Sequence, residues 1–353
     1  MKLAFVLVLV TCLCKFQCLQ LDNPELVVAV FRHGDRTKDA GTSYPNDPHN
    51  NISFQPYGLG ELTLGGRLRS FHLGEQLRGR YGDYLNLRYT VSEINSVTTN
   101  YNRAQDTLRL VLDGLFNSKG SEMKNAYDFA ILQVENSSVL TFPYYFCPRY
   151  RQIYREYQDF GEGRKIKSKY TSNFPYIAYH TGNNIECLSD LNLLYDCLST
   201  EEEWKLHLPK WTSLVYRDYL ESAAKDFHSM SVALPELNKR YGGVLLRQIL
   251  DQMDLKINHS MNHKLHLYSA HDMNVVGLLG AMGLYHPHIV PYTACVLMEL
   301  HEVNNTYCVK VLYQQTAALG FQEMVLPGCE ALCPIKSFRT IIAQNLPKDY
   351  DNC

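Results

Sequence analysis

Six apolar residues in a row, Leu26-Val27-Val28-Ala29-Val30-Phe31, run directly into Arg32-His33-Gly34-Asp35-Arg36. The run does not alternate apolar with polar, so neither of its faces suits water. A strand of that texture belongs inside a parallel sheet covered on both sides. Its abrupt end matters equally, because open α/β sheets collect ligand-binding groups beyond the carboxyl ends of their strands.

The pattern recurs once. Leu265-His266-Leu267-Tyr268-Ser269-Ala270 stops at His271-Asp272 and passes into Val275–Leu284, an apolar stretch with three glycines, which reads as strand, polar corner, helix. Between these two units, Thr63 is a plausible N-cap for a helix to about Tyr81, with Leu64, Leu68 and Phe71 on one face and Leu73 and Leu77 beside it. Leu108, Val111, Leu112 and Leu115 follow i, i+3, i+4, i+7 spacing and predict a second helix after the polar Thr98-Thr99-Asn100. Tyr292–Leu300 and Tyr307–Tyr313 flank Asn304-Asn305 and predict a hairpin at the sheet edge. From about Pro143 to Pro235 the chain is tyrosine-rich and charged, without a buried-strand run. The expected organisation is an α/β catalytic domain over residues 21–142 and 236–353, interrupted by a mostly helical cap over 143–235.

The first residues predict the compartment. Met1-Lys2 precede an aliphatic run from Leu3 to Val10, and polarity returns at Lys15 and Gln17. That layout reads as a secretory signal peptide over residues 1–20, too short to span a bilayer, and no later apolar stretch reads as a membrane anchor. Three of the 11 cysteines fall in this segment. The other cysteines form an even set, Cys147, Cys187, Cys197, Cys295, Cys308, Cys329, Cys333 and Cys353, which suits an oxidising compartment. No histidine pair near them has zinc-finger spacing. N-glycosylation sequons begin at Asn51, Asn136, Asn258 and Asn304. Lys plus Arg number 34 against 36 Asp plus Glu, so no basic field exists to gather nucleic acid.

The two strand-end clusters carry the chemistry. Arg32 and Arg36 offer planar forks that match phosphoryl oxygens, and Gly34 lets backbone approach a ligand closely. Between the arginines, His33 is favoured as a neutral imidazole and so as a nucleophile at low pH. His271 adds a further ligand, and Asp272 a carboxyl able to protonate a departing alcohol, its pKa expected to rise beside a dianionic phosphate. An acidic working range follows, in a secreted or lysosomal setting. His259 and His263 stand at i and i+4, but the first lies in a sequon; with His72, His180, His207, His286, His288 and His301 they read as surface or packing residues, which disfavours a metal phosphatase.

Arg32-His33-Gly34-Asp35-Arg36-Thr37 joined to the distal His271-Asp272 resembles the histidine acid phosphatase family, and most nearly its insect venom group. Supporting similarities include Cys147-Pro148-Arg149-Tyr150, Leu208-Pro209-Lys210-Trp211, Tyr241-Gly242-Gly243-Val244-Leu245 and Leu326-Pro327-Gly328-Cys329, so the resemblance covers nearly all of residues 27–353. It implies a phosphoglycerate-mutase-like sandwich with a helical cap, no metal or other cofactor, small phosphomonoester substrates and a possible homodimer. By the same resemblance His33 is the residue phosphorylated, Arg32, Arg36 and His271 are phosphate ligands, and Asp272 is the proton donor. The implied disulfides are Cys147 with Cys353, Cys197 with Cys295, and Cys329 with Cys333, leaving Cys187 with Cys308.

Two departures stand out. Lys38 replaces a proline common among relatives, with a small effect expected. Aligned through Arg103, the third phosphate-binding arginine falls on Val97, so that ligand is expected to be missing and Arg103 to be structural. The expected protein is therefore a secreted acid phosphatase of reduced power, the alternative being a weakly active or inactive homologue acting as a binding, venom or salivary protein. Inositol polyphosphates are disfavoured as substrates, since Lys165, Lys167 and Lys169 read as a solvated face.

Overall fold

The computed structural model of the chain describes residues 23–85, 88–116, 129–134 and 139–349. The expected signal peptide, Asn136 and Cys353 lie outside them. β1 (Leu26–Arg32) is buried along its whole length, as its unbroken apolar run requires. Val27, Ala29 and Phe31 enter one hydrophobic core, and Leu26, Val28 and Val30 enter another on the opposite face of the sheet.

β1 pairs in parallel with β4 (Leu265–Ala270), which pairs in parallel with β2 (Ile94–Thr99), which pairs in turn with the short β3 (Leu132–Val134). On its other side β1 meets β5 (Cys295–Val303) antiparallel, and β5 turns into β6 (Thr306–Gln314). Asn304 and Asn305 make that turn with φ of 50° and 59°, the positive values that a two-residue hairpin needs. β6 is not the outer limit expected for the hairpin, because β7 (Gln322–Met324) and β8 (Leu332–Pro334) both pair with it. β2, β3, β7 and β8 escape a sequence reading: the last three are short, and β2 mixes Asn95, Ser96, Thr98 and Thr99 with its apolar positions.

α1 (Leu64–Tyr81) and α2 (Asn102–Phe116) cover the Phe31 face. Thr63 caps α1 by accepting from the Gly66 N–H. The buried face of α1 is not the expected one: Gly66, Ser70, Leu73, Gly74 and Leu77 face inward, whereas Leu64 and Leu68 are exposed. The reason is close approach. A β-carbon on Gly66 would collide with the Asp35 backbone, and one on Gly74 with the Val111 carbonyl of α2, so the helix packs on its small residues.

The opposite face carries α9 (Gly242–Ile257), α10 (Asp272–Ala281) and a helical segment. Residues 143–235 hold α3 (Pro148–Asp159), α4 (Gly161–Ser168), α5 (Phe174–Thr181), α6 (Leu188–Glu203) and α7 (Asp218–Ser231), with no strand among them. The short α8 (Pro235–Asn238) leads into α9, and α11 (Ile335–Ile342) follows β8. No helix among the described residues is long and apolar enough to cross a membrane.

The cysteines correct the implied framework in part. Cys329 and Cys333 form a disulfide, and Cys147 is disulfide-bonded, its expected partner Cys353 being outside the described residues. Cys197, Cys295, Cys187 and Cys308 are free thiols. Cys197 lies in α6 within one core and Cys295 in β5 within the other, so the sheet separates them. Cys187 stands at the N-cap of α6 and Cys308 opposite Pro334 on β6. Asn51, Asn258 and Asn304 are exposed, as glycan acceptors must be.

Candidate active site

Parallel register sets Arg32 opposite Ala270, so the two polar corners leave the sheet side by side. The backbone holds them there: the His33 N–H donates to the Ala270 carbonyl at 3.0 Å, and the Gly34 N–H to Thr107 Oγ1 of α2 at 3.0 Å. A β-carbon at Gly34 would meet the Gly66 carbonyl, so only glycine seats this loop against α1. The His33 and His271 rings then stand edge to face with centroids 5.4 Å apart.

His33 is 3% exposed. Arg103, in the first turn of α2, donates from Nε to His33 Nε2 at 3.1 Å. A guanidinium can only donate, so Nε2 carries the lone pair and Nδ1 carries the proton, which it gives to the Gly34 carbonyl at 2.8 Å. Burial, reinforced by Arg103, His271, Arg32 and Arg36, holds the His33 pKa well below the usual histidine value. The imidazole is therefore neutral, with its free electron pair facing the arginines. Burial and Arg103 also lower His271 to about 3, and its Nε2 shares a 3.0 Å hydrogen bond with Thr99 Oγ1 at the end of β2.

Each arginine around His33 has an acidic partner. Arg32 Nη2 lies 3.3 Å from Asp272, Arg36 Nη2 lies 2.5 Å from Asp196 of α6, and Arg103 Nη1 lies 3.0 Å from Asp39. Tyr292 lies beneath the Arg32 guanidinium at 4.1 Å. Arg32 and Arg36 are nonetheless incompletely satisfied, since each keeps a buried Nε without a partner. Asp272 opens α10. Burial alone would raise its pKa, but Arg32, His228, His271 and the Met273 N–H outweigh that and hold it at about 2. That value belongs to the free pocket, whereas the expected rise concerns a pocket holding a dianionic phosphate.

These residues form the floor of a cavity of about 1620 Å³ roofed by α6, α7 and the loop over Leu140–Phe146. A buried floor of three guanidiniums and two imidazoles is suited to a tetrahedral oxyanion. A profile described as "Histidine phosphatase superfamily (branch 2)" matches residues 25–314. The chain belongs to that superfamily. It is 31% identical over 340 residues to venom acid phosphatase Acph-1 of Apis mellifera, covering 91% of this chain and 85% of that protein. It is also 31% identical to human lysosomal acid phosphatase, with coverage of 92% and 78%. Klebsiella sp. ASR1 phytase shares the fold, with a TM-score of 0.69, 18% identity and coverage of 92% and 96%.

In this histidine phosphatase the structure brings His33, Arg32, Arg36, His271 and Asp272 into one pocket. It corrects the placement of the third arginine. Val97 sits within β2, 4% exposed, with its side chain in the core. Arg103, six residues later, has the position against His33, and the signal for it was an arginine at the start of a helix just beyond a strand end. Asp196 and His228, on α6 and α7, were also missed, and no local pattern marks them. Lys38 proves more than a loop variation: its ammonium is buried against Asp47 and Glu201, beside Cys197. Asp47, Cys197 and Glu201 are the one cluster among the described residues with metal-ligand chemistry, and Lys38 already supplies the positive charge there. Lys165, Lys167 and Lys169 pair with Glu162, Asp159 and Asp226 and do not line the cavity.

Proposed function

We propose that this protein is a secreted acid phosphatase that hydrolyses small phosphate monoesters through a phosphohistidine on His33. The observation that carries the reading is the His33 tautomer, fixed with Nε2 unprotonated among Arg32, Arg36 and Arg103. The phosphoryl group takes the place of the direct Arg103–His33 hydrogen bond, its oxygens held by the three arginines and His271. Nε2 attacks phosphorus as the bond to the ester oxygen breaks, and Asp272 protonates the departing alkoxide. Water then attacks the phosphohistidine with Asp272 accepting its proton, which releases phosphate and restores His33.

Asp272 at about 2 is ionised in the free pocket, so its proton must arrive with the substrate. A phosphate monoester has a second pKa of about 6, and below it the monoanion brings that proton into the site. The same binding draws Arg32 away from Asp272 and raises the carboxyl pKa. This supports an acidic working range without a raised pKa in the resting enzyme. The helical segment 143–235 serves as a cap, contributing Asp196 and His228 to the pocket walls. Secretion rests on the residue 1–20 pattern, the exposed sequons and the Cys329–Cys333 disulfide. The inactive-homologue reading rested on Val97 and loses that support with Arg103 in the pocket.

The test is single-turnover hydrolysis of an aryl phosphate at acidic pH with EDTA present. Quenching in alkali should trap phosphate on His33, and His33→Ala should form no adduct and show no turnover. Turnover by His33→Ala above a small residual fraction would overturn the mechanism.

A further inference from the structure

Above the arginine floor the pocket wall changes sign and texture. The C-terminal end of α6 presents Glu202, Glu203 and Trp204 to the cavity, and Asp35 and Glu221 also line it. The cations on this wall are mostly committed. Arg69 faces Asp35 at 3.2 Å, and Arg217 lies 3.5 Å from Glu202 and 3.6 Å from Glu221; Lys205 is exposed. Glu203 makes no salt bridge among the described residues. It lies within electrostatic reach of Asp35, Arg32, Asp196 and Arg36; partial desolvation and the two acids outweigh the two arginines and push its carboxyl up.

Beside it Trp204 is held by Phe54 and Tyr57, with edge-to-face centroids at 5.0 and 6.2 Å. Tyr57, Tyr101 and Tyr145 line the cavity as well, and Tyr101 and Tyr145 are exposed there. Aromatic faces and carboxylates share one preference: both attract cations, and neither offers a donor to an additional anionic group. The second observation that this wall meets a ligand is the floor beneath it, where Arg32 and Arg36, each more than nine-tenths buried, retain an unpartnered Nε.

We propose that this wall selects phosphate monoesters whose leaving group carries a positive charge on an aromatic or apolar body, with Glu203 as the residue that sets the preference. The proposal rests on the phosphomonoesterase reading of the floor. It follows that leaving groups bearing further phosphates or carboxylates are disfavoured, because they must enter past Asp35 and Glu203.

The experiment compares kcat/KM for three para-substituted phenyl phosphates of similar leaving-group basicity: tyramine O-phosphate, 4-ethylphenyl phosphate and 3-(4-phosphonooxyphenyl)propanoate. The order should be ammonium, neutral, carboxylate, with a ratio of about tenfold or more between the extremes, the product of about one exposed-pair contribution gained and one lost. Glu203→Gln should shrink that ratio about threefold and Glu203→Lys should invert it. The wild-type ratio should also fall as salt rises from about 0.05 M to about 0.5 M, an arm that needs no variant to fold. Equal kcat/KM for the three esters would overturn the preference while leaving the phosphatase reading intact. Absence of turnover with all three would overturn both.

Discussion

Arg103 donates to the very nitrogen of His33 that must attack phosphorus, across 3.1 Å. One guanidinium thus fixes the tautomer and helps to keep the ring neutral, and in the proposed mechanism it is a phosphate ligand. A charge-assisted hydrogen bond of this kind is worth about 1.5–3 kcal/mol, so Arg103→Ala should lower kcat/KM by roughly 10- to 150-fold and weaken vanadate binding in step. Val97→Arg should behave in the opposite sense from a rescue. It inserts a charge into a core position of β2 and should lower Tm with no gain in rate. Equal kinetics for wild type and Arg103→Ala would remove Arg103 from the phosphate site.

Asp272→Asn separates proton donation from charge placement. Alkyl leaving groups need a proton and nitrophenolate does not, so the variant should lose far more activity on an alkyl phosphate than on nitrophenyl phosphate. The Arg32–Asp272 contact adds a second expectation: without the carboxylate, Arg32 is freed and inorganic phosphate should bind more tightly. Equal losses on both esters would reduce Asp272 to a residue that positions Arg32 or His271.

What was legible in the sequence followed the strength of local contrast. β1 and β4 each set an apolar run against a charged corner, and that contrast located five of the residues on the pocket floor. β2 has no such contrast, since Asn95, Thr98 and Thr99 are polar although the strand lies inside the sheet, between β3 and β4. With β2 unread, the end of that strand was unread too, and Arg103 could not be recognised as a third strand-end group. Asp196 and His228 were beyond reach for another reason: they approach the pocket from α6 and α7, at least forty residues from either polar corner in sequence, and only the tertiary path brings them there. The pairing of Cys197 with Cys295 failed because it was carried over from a resemblance, and the two thiols lie on opposite sides of the sheet.

The buried histidines predict an acid-labile resting state. His33 is depressed well below its ordinary value, and His271 and His266 are each depressed to about 3. Between a folded pKa near 3 and an unfolded value of about 6.5, the unfolded chain binds more protons, so acid favours unfolding. The stability these groups contribute is complete above about pH 6.5 and declines as pH falls toward 3. Asp272 and Glu299, each held at about 2, act in the same sense at lower pH, because their contribution is lost as pH falls from their unfolded values through 2. Tm of the ligand-free protein should therefore drop steadily from pH 7 to pH 4, and inorganic phosphate should recover part of the loss. His266→Gln, outside the pocket, should flatten the slope. A Tm independent of pH across that interval would show that these histidines are not neutral when buried.

Lys38 predicts the largest single loss of stability outside the catalytic floor. Lys38 is 1% exposed, and its ammonium meets Asp47 and Glu201, whose side chains are fully buried. It stands two residues after Arg36, while Glu201 stands five residues after Asp196 on α6, the acid that holds Arg36 at 2.5 Å. The loop carrying Arg36 is thus tied to α6 at two places, once in the pocket wall and once in the core. Lys38→Met leaves two carboxylates buried without a cation and should cost about 3–5 kcal/mol, far more than an exposed ion pair could. The combined variant Lys38→Met, Asp47→Leu, Glu201→Gln removes the charges together and should recover most of that stability, since replacing a whole buried ion cluster is often nearly neutral. If the tie also positions Arg36, the combined variant will remain folded yet bind inorganic phosphate more weakly, with KM rising more than kcat falls. Thermal unfolding and phosphate inhibition measured on both variants decide the matter. A Lys38→Met protein with unchanged Tm would mean that water or a protonated carboxyl replaces the ammonium, and that the core tie between the loop and α6 is not electrostatic.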